Sequence, residues 1–133
     1  MKKLLALLLA VLMIFAFVAC SSEPDTSNKV EEYVETNEKS IISSVKKGIA
    51  IADSDCTHSI VADGNGFTVN INLNGMDNLT PEDKIAYQAG YNSLQTVFDG
   101  LVAEWRKDLP DLGCVKFNIC EKDGDIIATI DIY

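Results

Sequence analysis

Alternation of apolar and polar positions is the clearest pattern in the second half of the chain. Phe67, Val69, Ile71 and Leu73 are separated by Thr68, Asn70 and Asn72, the period of a half-buried strand. Residues 56–62 form its expected partner, joined through the turn Asp63-Gly64-Asn65-Gly66. Val115, Phe117 and Ile119 alternate toward Asp123-Gly124, and Ile126, Ala128, Ile130 and Ile132 alternate away from it. A two-residue Asp-Gly turn pairs Ile119 with Ala128, Phe117 with Ile130 and Val115 with Ile132, so the apolar faces coincide.

Helical spacing fills the intervals. Val30, Tyr33, Val34, Ile41, Val45, Ile49 and Ala52 share one face. With Asn28 as cap and Glu31 reaching back, they predict a helix over 29–52. Glu31, Glu32, Glu35 and Glu38 crowd its first half and Lys46 and Lys47 its end, matching the helix dipole. Thr80-Pro81-Glu82-Asp83 is a strong helix start. The stripe Tyr87, Tyr91, Leu94, Phe98, Leu101 and Trp105 then predicts one helix that stops before Pro110. The order helix–hairpin–helix–hairpin predicts an α+β two-layer sandwich, α-β-β-α-β-β. Its four-stranded antiparallel sheet carries two helices on one face. Laying Phe67 over Ile126 also superposes the alternating positions that follow, suggesting two α-β-β repeats, 29–74 and 80–133.

The first 28 residues follow neither period. Lys2 and Lys3 precede an unbroken apolar run, residues 4–19. That run reaches only about 24 Å as a helix, short of the roughly 30 Å hydrocarbon core. Together they make the parts of a secretory signal. Phe17-Val18-Ala19-Cys20 resembles a bacterial lipobox, in which Cys20 takes a diacylglycerol and becomes the mature N-terminus; Phe17 stands where leucine is usual. Two acyl chains anchor stably. A signal peptide over 1–19, a lipidated cysteine with a polar tether over 20–28, and a domain over 29–133 follow. The expected location is the extracytoplasmic face of the cell membrane.

Charge narrows the partners. The chain carries 11 Lys+Arg against 20 Asp+Glu, a net charge of −9. Loss of Lys2 and Lys3 with the leader makes the domain more acidic still. Such a surface cannot neutralise a phosphate backbone, which excludes nucleic acid. It also disfavours contact with anionic lipid, so the acyl group must do the holding.

The leader, the lipid cysteine, the acidic tether, the VEEYVE helix start, the TPED-led helix and a hairpin at the chain end together resemble a known family. It comprises short lipoproteins, mainly of Gram-positive anaerobes, that carry a domain of unknown function. The resemblance implies location and fold and carries over no catalytic residue.

No catalytic signature stands out. Cys56 and His58, the only histidine, occupy same-face positions of the first strand. They are the pair a small hydrolase would use, without a visible third group or oxyanion hole. Asp53, Asp55 and His58 offer mixed metal ligands, and the turns at Asp63 and at Asp123-Gly124-Asp125 offer oxygen atoms. An EF-hand counted from Asp53 meets Gly64 at position twelve, where glutamate is needed. We therefore expect no metal and no cofactor. After lipidation Cys56, Cys114 and Cys120 remain. The last two, some 20 Å apart on one strand, cannot bond to each other. Cys56 pairing with either, or three reduced thiols, are the alternatives. The candidate binding face is the polar side of the sheet: Thr68, Asn70, Asn72, Lys116, Asn118 and Thr129, with Cys120, Ile127 and Asp131 alongside. Its amides and hydroxyls suit a glycan or an extended peptide. The expected function is a non-catalytic binding or scaffolding module. The alternatives are the Cys56/His58 hydrolase and a purely structural envelope protein that docks another protein.

Overall fold

A computed structural model describes residues 27–133; the leader, Cys20 and most of the tether lie outside the described residues. Along the chain run α1 (Ser27–Gly48), a 3-10 turn (Asp53–Asp55), β1 (Cys56–Asp63), β2 (Gly66–Leu73), α2 (Pro81–Asn92), α3 (Gln95–Asp108), β3 (Val115–Cys120) and β4 (Ile126–Ile132). The class is α+β, with three helices and one sheet in the order β1-β2-β3-β4.

The sheet is mixed, not purely antiparallel as the alternation suggested. β1–β2 and β3–β4 are antiparallel hairpins, but β2 and β3 are parallel, Phe67 lying beside Val115 and Ile71 beside Ile119. Alternation determines which face a residue takes and says nothing of strand direction. The long helical connection carries the chain back to the beginning of β2, as parallel pairing requires. There Gly113 N–H donates to Asn65 O at 2.7 Å, sealing the return. The approach is so close that a Cβ on Gly66 would stand 1.9 Å from Cys114 O. Gly66→Ala must push the two central strands apart at their shared start. It is expected to cost about 2 kcal/mol by the cost of overpacking, whereas Gly75→Ala, in open space, leaves the denaturation midpoint nearly unchanged.

The helices also depart from the expected limits. α1 begins at Ser27, so Asn28 lies inside it instead of capping it. It ends at Gly48 and not at residue 52. There Ala50 turns left-handed (φ 55°), with Ala50 N–H donating to Lys47 O and Ile51 N–H to Lys46 O; this is the bond pair of a Schellman stop. α2 starts as Thr80-Pro81-Glu82-Asp83 predicts: Thr80 Oγ1 accepts from Asp83 N–H while Asp83 accepts from Thr80 N–H. The expected single helix over 81–109 breaks at Ser93-Leu94. Ser93 Oγ donates to Gly90 O at 2.6 Å, and Leu94 N–H bonds Tyr91 O in a tightened turn. Gly90, Asn92 and Ser93 are weak helix formers, and the serine hydroxyl competes for a helix carbonyl.

The break lets both short helices face the core. Phe98 stacks on Phe117 with centroids 4.4 Å apart, Tyr91 meets Phe98 at 5.4 Å, and Trp105 meets Phe67 at 5.4 Å. Val30, Ile41 and Val45 of α1 join Phe67, Val69, Ile71, Val115 and Phe117 in the same buried cluster. α2 takes the border of the sheet. The Gln88 amide donates to Thr129 O (2.9 Å) and accepts from Thr129 N–H (2.8 Å), so one side chain pairs with β4 as a neighbouring strand would.

In the second hairpin, Val115, Phe117 and Ile119 face Ile132, Ile130 and Ala128 as expected, but the two-residue turn does not form. Cys120 pairs with Ile126, leaving Ile127 as a bulge. Gly124 (φ 98°) closes a turn back to Glu121 O. The extra residue shifts the pleat. Ile127 therefore lines an apolar hollow together with Ile119 and Ala128, and does not lie on the polar face.

Candidate functional site

On the face turned from the aromatic cluster, the strand registers align polar residues in rows that cross the sheet. The central row is Ser59, Asn70, Asn118 and Thr129, and it is a continuous hydrogen-bonded ladder. Thr129 Oγ1 donates to Asn118 Oδ1 (2.8 Å), Asn118 Nδ2 to Asn70 Oδ1 (2.9 Å), and Asn70 Nδ2 to Ser59 Oγ (3.2 Å). Asn118 is buried by its neighbours; Asn70 and Thr129 are half-buried. Each amide has a second N–H and spare lone pairs beyond the ladder. On one side lies the row Val61, Thr68, Lys116, Asp131, with Lys116 Nζ 3.9 Å from Asp131 Oδ1. On the other lies Thr57, Asn72, Cys120. Thus Thr68, Asn70, Asn72, Lys116, Asn118 and Thr129 do share one surface. Ser59 was missed because β1 showed little alternation.

Cys56 and His58 lie on the opposite pleat face, under α1. Cys56 is buried and its thiol donates to Ala52 O at 3.7 Å. His58 Nε2 stands 3.9 Å from Glu38 Oε1. Glu38 comes from α1, a segment that spacing along β1 could not bring in.

All three described cysteines are free thiols, and the sheet order gives the reason. Two strand spacings, about 9.5 Å, separate β1 from β3, beyond the roughly 7 Å that a disulfide spans. Cys56 also lies at the Leu73 end of β2, while Cys114 precedes Val115 at the Phe67 end. Burial, with Asp131 adding to it, raises the pKa of Cys114; burial and then Asp125 raise that of Cys120. Both are held as thiols and not as thiolates.

The turn of the second hairpin gathers Glu121, Asp123 and Asp125, whose carboxylate oxygens lie within 4.8 Å of one another. Glu121 is already engaged within the fold, accepting from Leu79 N–H and facing Lys84 Nζ at 3.7 Å. Asp123 accepts from Asp125 N–H, the local bond of an Asx turn. Contacts within the fold thus account for Glu121, and turn chemistry for Asp123.

No protein-family model matches the chain, and no curated protein or solved structure is significantly similar to it. No described helix is long and apolar enough to cross a membrane.

Proposed function

We propose that the chain is a lipid-anchored extracytoplasmic lipoprotein whose domain is a non-catalytic binding module. In this reading the helices form one layer and the sheet the second, with the polar rows turned outward to take a glycan or an extended peptide. The ladder Ser59–Asn70–Asn118–Thr129 carries the proposal. Its mutual hydrogen bonds hold two carboxamides in one orientation across neighbouring strands, and a pre-ordered polar surface loses less entropy on binding. The anchor rests on the resemblance of residues 17–20 to a lipobox and on the family resemblance. The non-catalytic reading is supported by the Cys56 thiol, which bonds a backbone carbonyl instead of His58.

Two measurements test it. The intact mass of the membrane-extracted chain should show loss of residues 1–19 and a diacylglycerol on Cys20; an unmodified mass removes the anchor. Wall-glycan fragments and extended peptides are then titrated against the detergent-solubilised chain by thermal melting. A bound ligand at 100 times its Kd adds about 2.7 kcal/mol, an upward shift of roughly 10 °C for a domain of this size. Asn70→Ala and Lys116→Ala should abolish that shift. If the shift survives both changes, the polar face is not the binding surface.

A further inference from the structure

The two borders of the sheet are treated differently. At the middle of the β4 border, Gln88 takes up the backbone N–H and C=O of Thr129. At the β1 border, residues 56–63 make no backbone hydrogen bond to any described segment besides β2. β1 is also regular: eight consecutive pairs join it to β2 without a bulge. It contains no lysine and no proline, the residues that usually blunt such an edge. Thr57, Ser59 and Val61 are exposed, Val61 to 55 %.

α1 runs beside this border, and between them lie two hollows that follow β1. One, of about 380 Å³, is walled by Glu31, Val34 and Glu35 of α1 and by Ile60 and Ala62 of β1. The other, of about 700 Å³, is of mixed charge, walled by Glu38, Lys39 and Lys46 on the helix side and by Cys56 and His58 on the strand side. A helix beside a free strand edge is the geometry in which an extended chain adds as a further strand.

The geometry points to a second docking surface here: β1 receives an extended segment of another protein as a fifth strand, with basic side chains at alternate positions facing Glu31 and Glu35. The spacing and the charge choose this occupant. Glu31 and Glu35 are about 6 Å apart along the helix axis, and alternate residues of a strand are about 6.6 Å apart. Both glutamates are exposed and form no ion pair among the described residues. A second copy of this chain is a poor occupant: β1 itself, CTHSIVAD, offers no lysine or arginine, and two chains of net charge −9 repel. This surface does not depend on the polar-face reading, since the groove lies on the other side of the sheet.

The test uses the detergent-solubilised full chain and a fluorescent eight-residue peptide that alternates lysine with valine. Binding is read by anisotropy, together with hydrogen exchange at the β1 amides. The peptide should bind at least tenfold more tightly than the same sequence N-methylated at alternate residues. That variant keeps every charge but loses the backbone donors. The unmodified peptide should slow exchange in β1, and Glu31→Lys with Glu35→Lys should weaken its binding at least tenfold without moving the melting midpoint. Equal affinity for the N-methylated peptide would overturn strand addition, and unchanged affinity in the double variant would overturn the charge assignment. Loss of peptide binding in Asn70→Ala, with the double variant unaffected, would move the peptide to the polar face and overturn this inference alone.

Discussion

Phe117→Ala should remove about half of the domain's stability. The ring is 1 % exposed and lies at the meeting point of the two layers of aromatic contact. Phe98 stacks on it at 4.4 Å and Trp105 packs at 6.1 Å. Removing it costs the transfer of a buried ring plus the cavity it leaves, about 3–5 kcal/mol. A domain of this size has about twice that to lose. The melting midpoint should fall by roughly 15–20 °C. Phe117→Leu fills most of the space and should cost well under half as much. Calorimetry on the two variants checks this; equal midpoints would mean that the stack carries little of the stability.

The second large effect is expected at a charged residue. Glu121 is 3 % exposed, accepts from Leu79 N–H and faces Lys84, which is 30 % exposed. Glu121→Ala strands a backbone donor and releases Lys84 to water, a loss of about 3 kcal/mol. Glu121→Gln keeps an acceptor for Leu79 and should lose about half of that. Lys84→Ala removes only a partly screened ion pair and should cost under about 1 kcal/mol. Denaturant midpoints should therefore fall in the order Ala at 121, Gln at 121, Ala at 84. A larger loss at Lys84 would show that the ion pair outweighs the hydrogen bond to Leu79, contrary to the geometry.

These residues also show where a sequence stops speaking. The pairing of Phe117 with Ile130 was legible because period-two patterns on both sides of an Asp-Gly turn have one self-consistent register. The start of α2 was legible because Thr80, Pro81 and Asp83 each act within one turn of chain. The role of Glu121 was not, since its partners Leu79 and Lys84 come from a distant segment. The parallel pairing of β2 with β3 was hidden for a related reason: apolar alternation reads the same in both directions. The ladder was half visible. Asn70, Asn118 and Thr129 could be assigned to one face by parity, but only the β2–β3 register makes them row-mates. Ser93 disguised the helix break because the apolar stripe from Tyr91 to Phe98 continues across it. Glu38 could not be matched to His58 until α1 was laid along β1.

The amide of Gln88 has a consequence for how large any assembly of this protein can grow. Polymerisation by strand addition requires two reactive ends on every unit, one to join the growing fibre and one to accept the next unit. Here one end is interrupted intramolecularly by a side chain that takes the pair of backbone hydrogen bonds an added strand would make at Thr129. With strand addition at β1 as proposed, the molecule would be monofunctional in the polymer chemist's sense: able to end a chain but not to extend one. If β1 takes a strand as proposed, complexes formed through this sheet are expected to stop at a single partner instead of running on into fibrils.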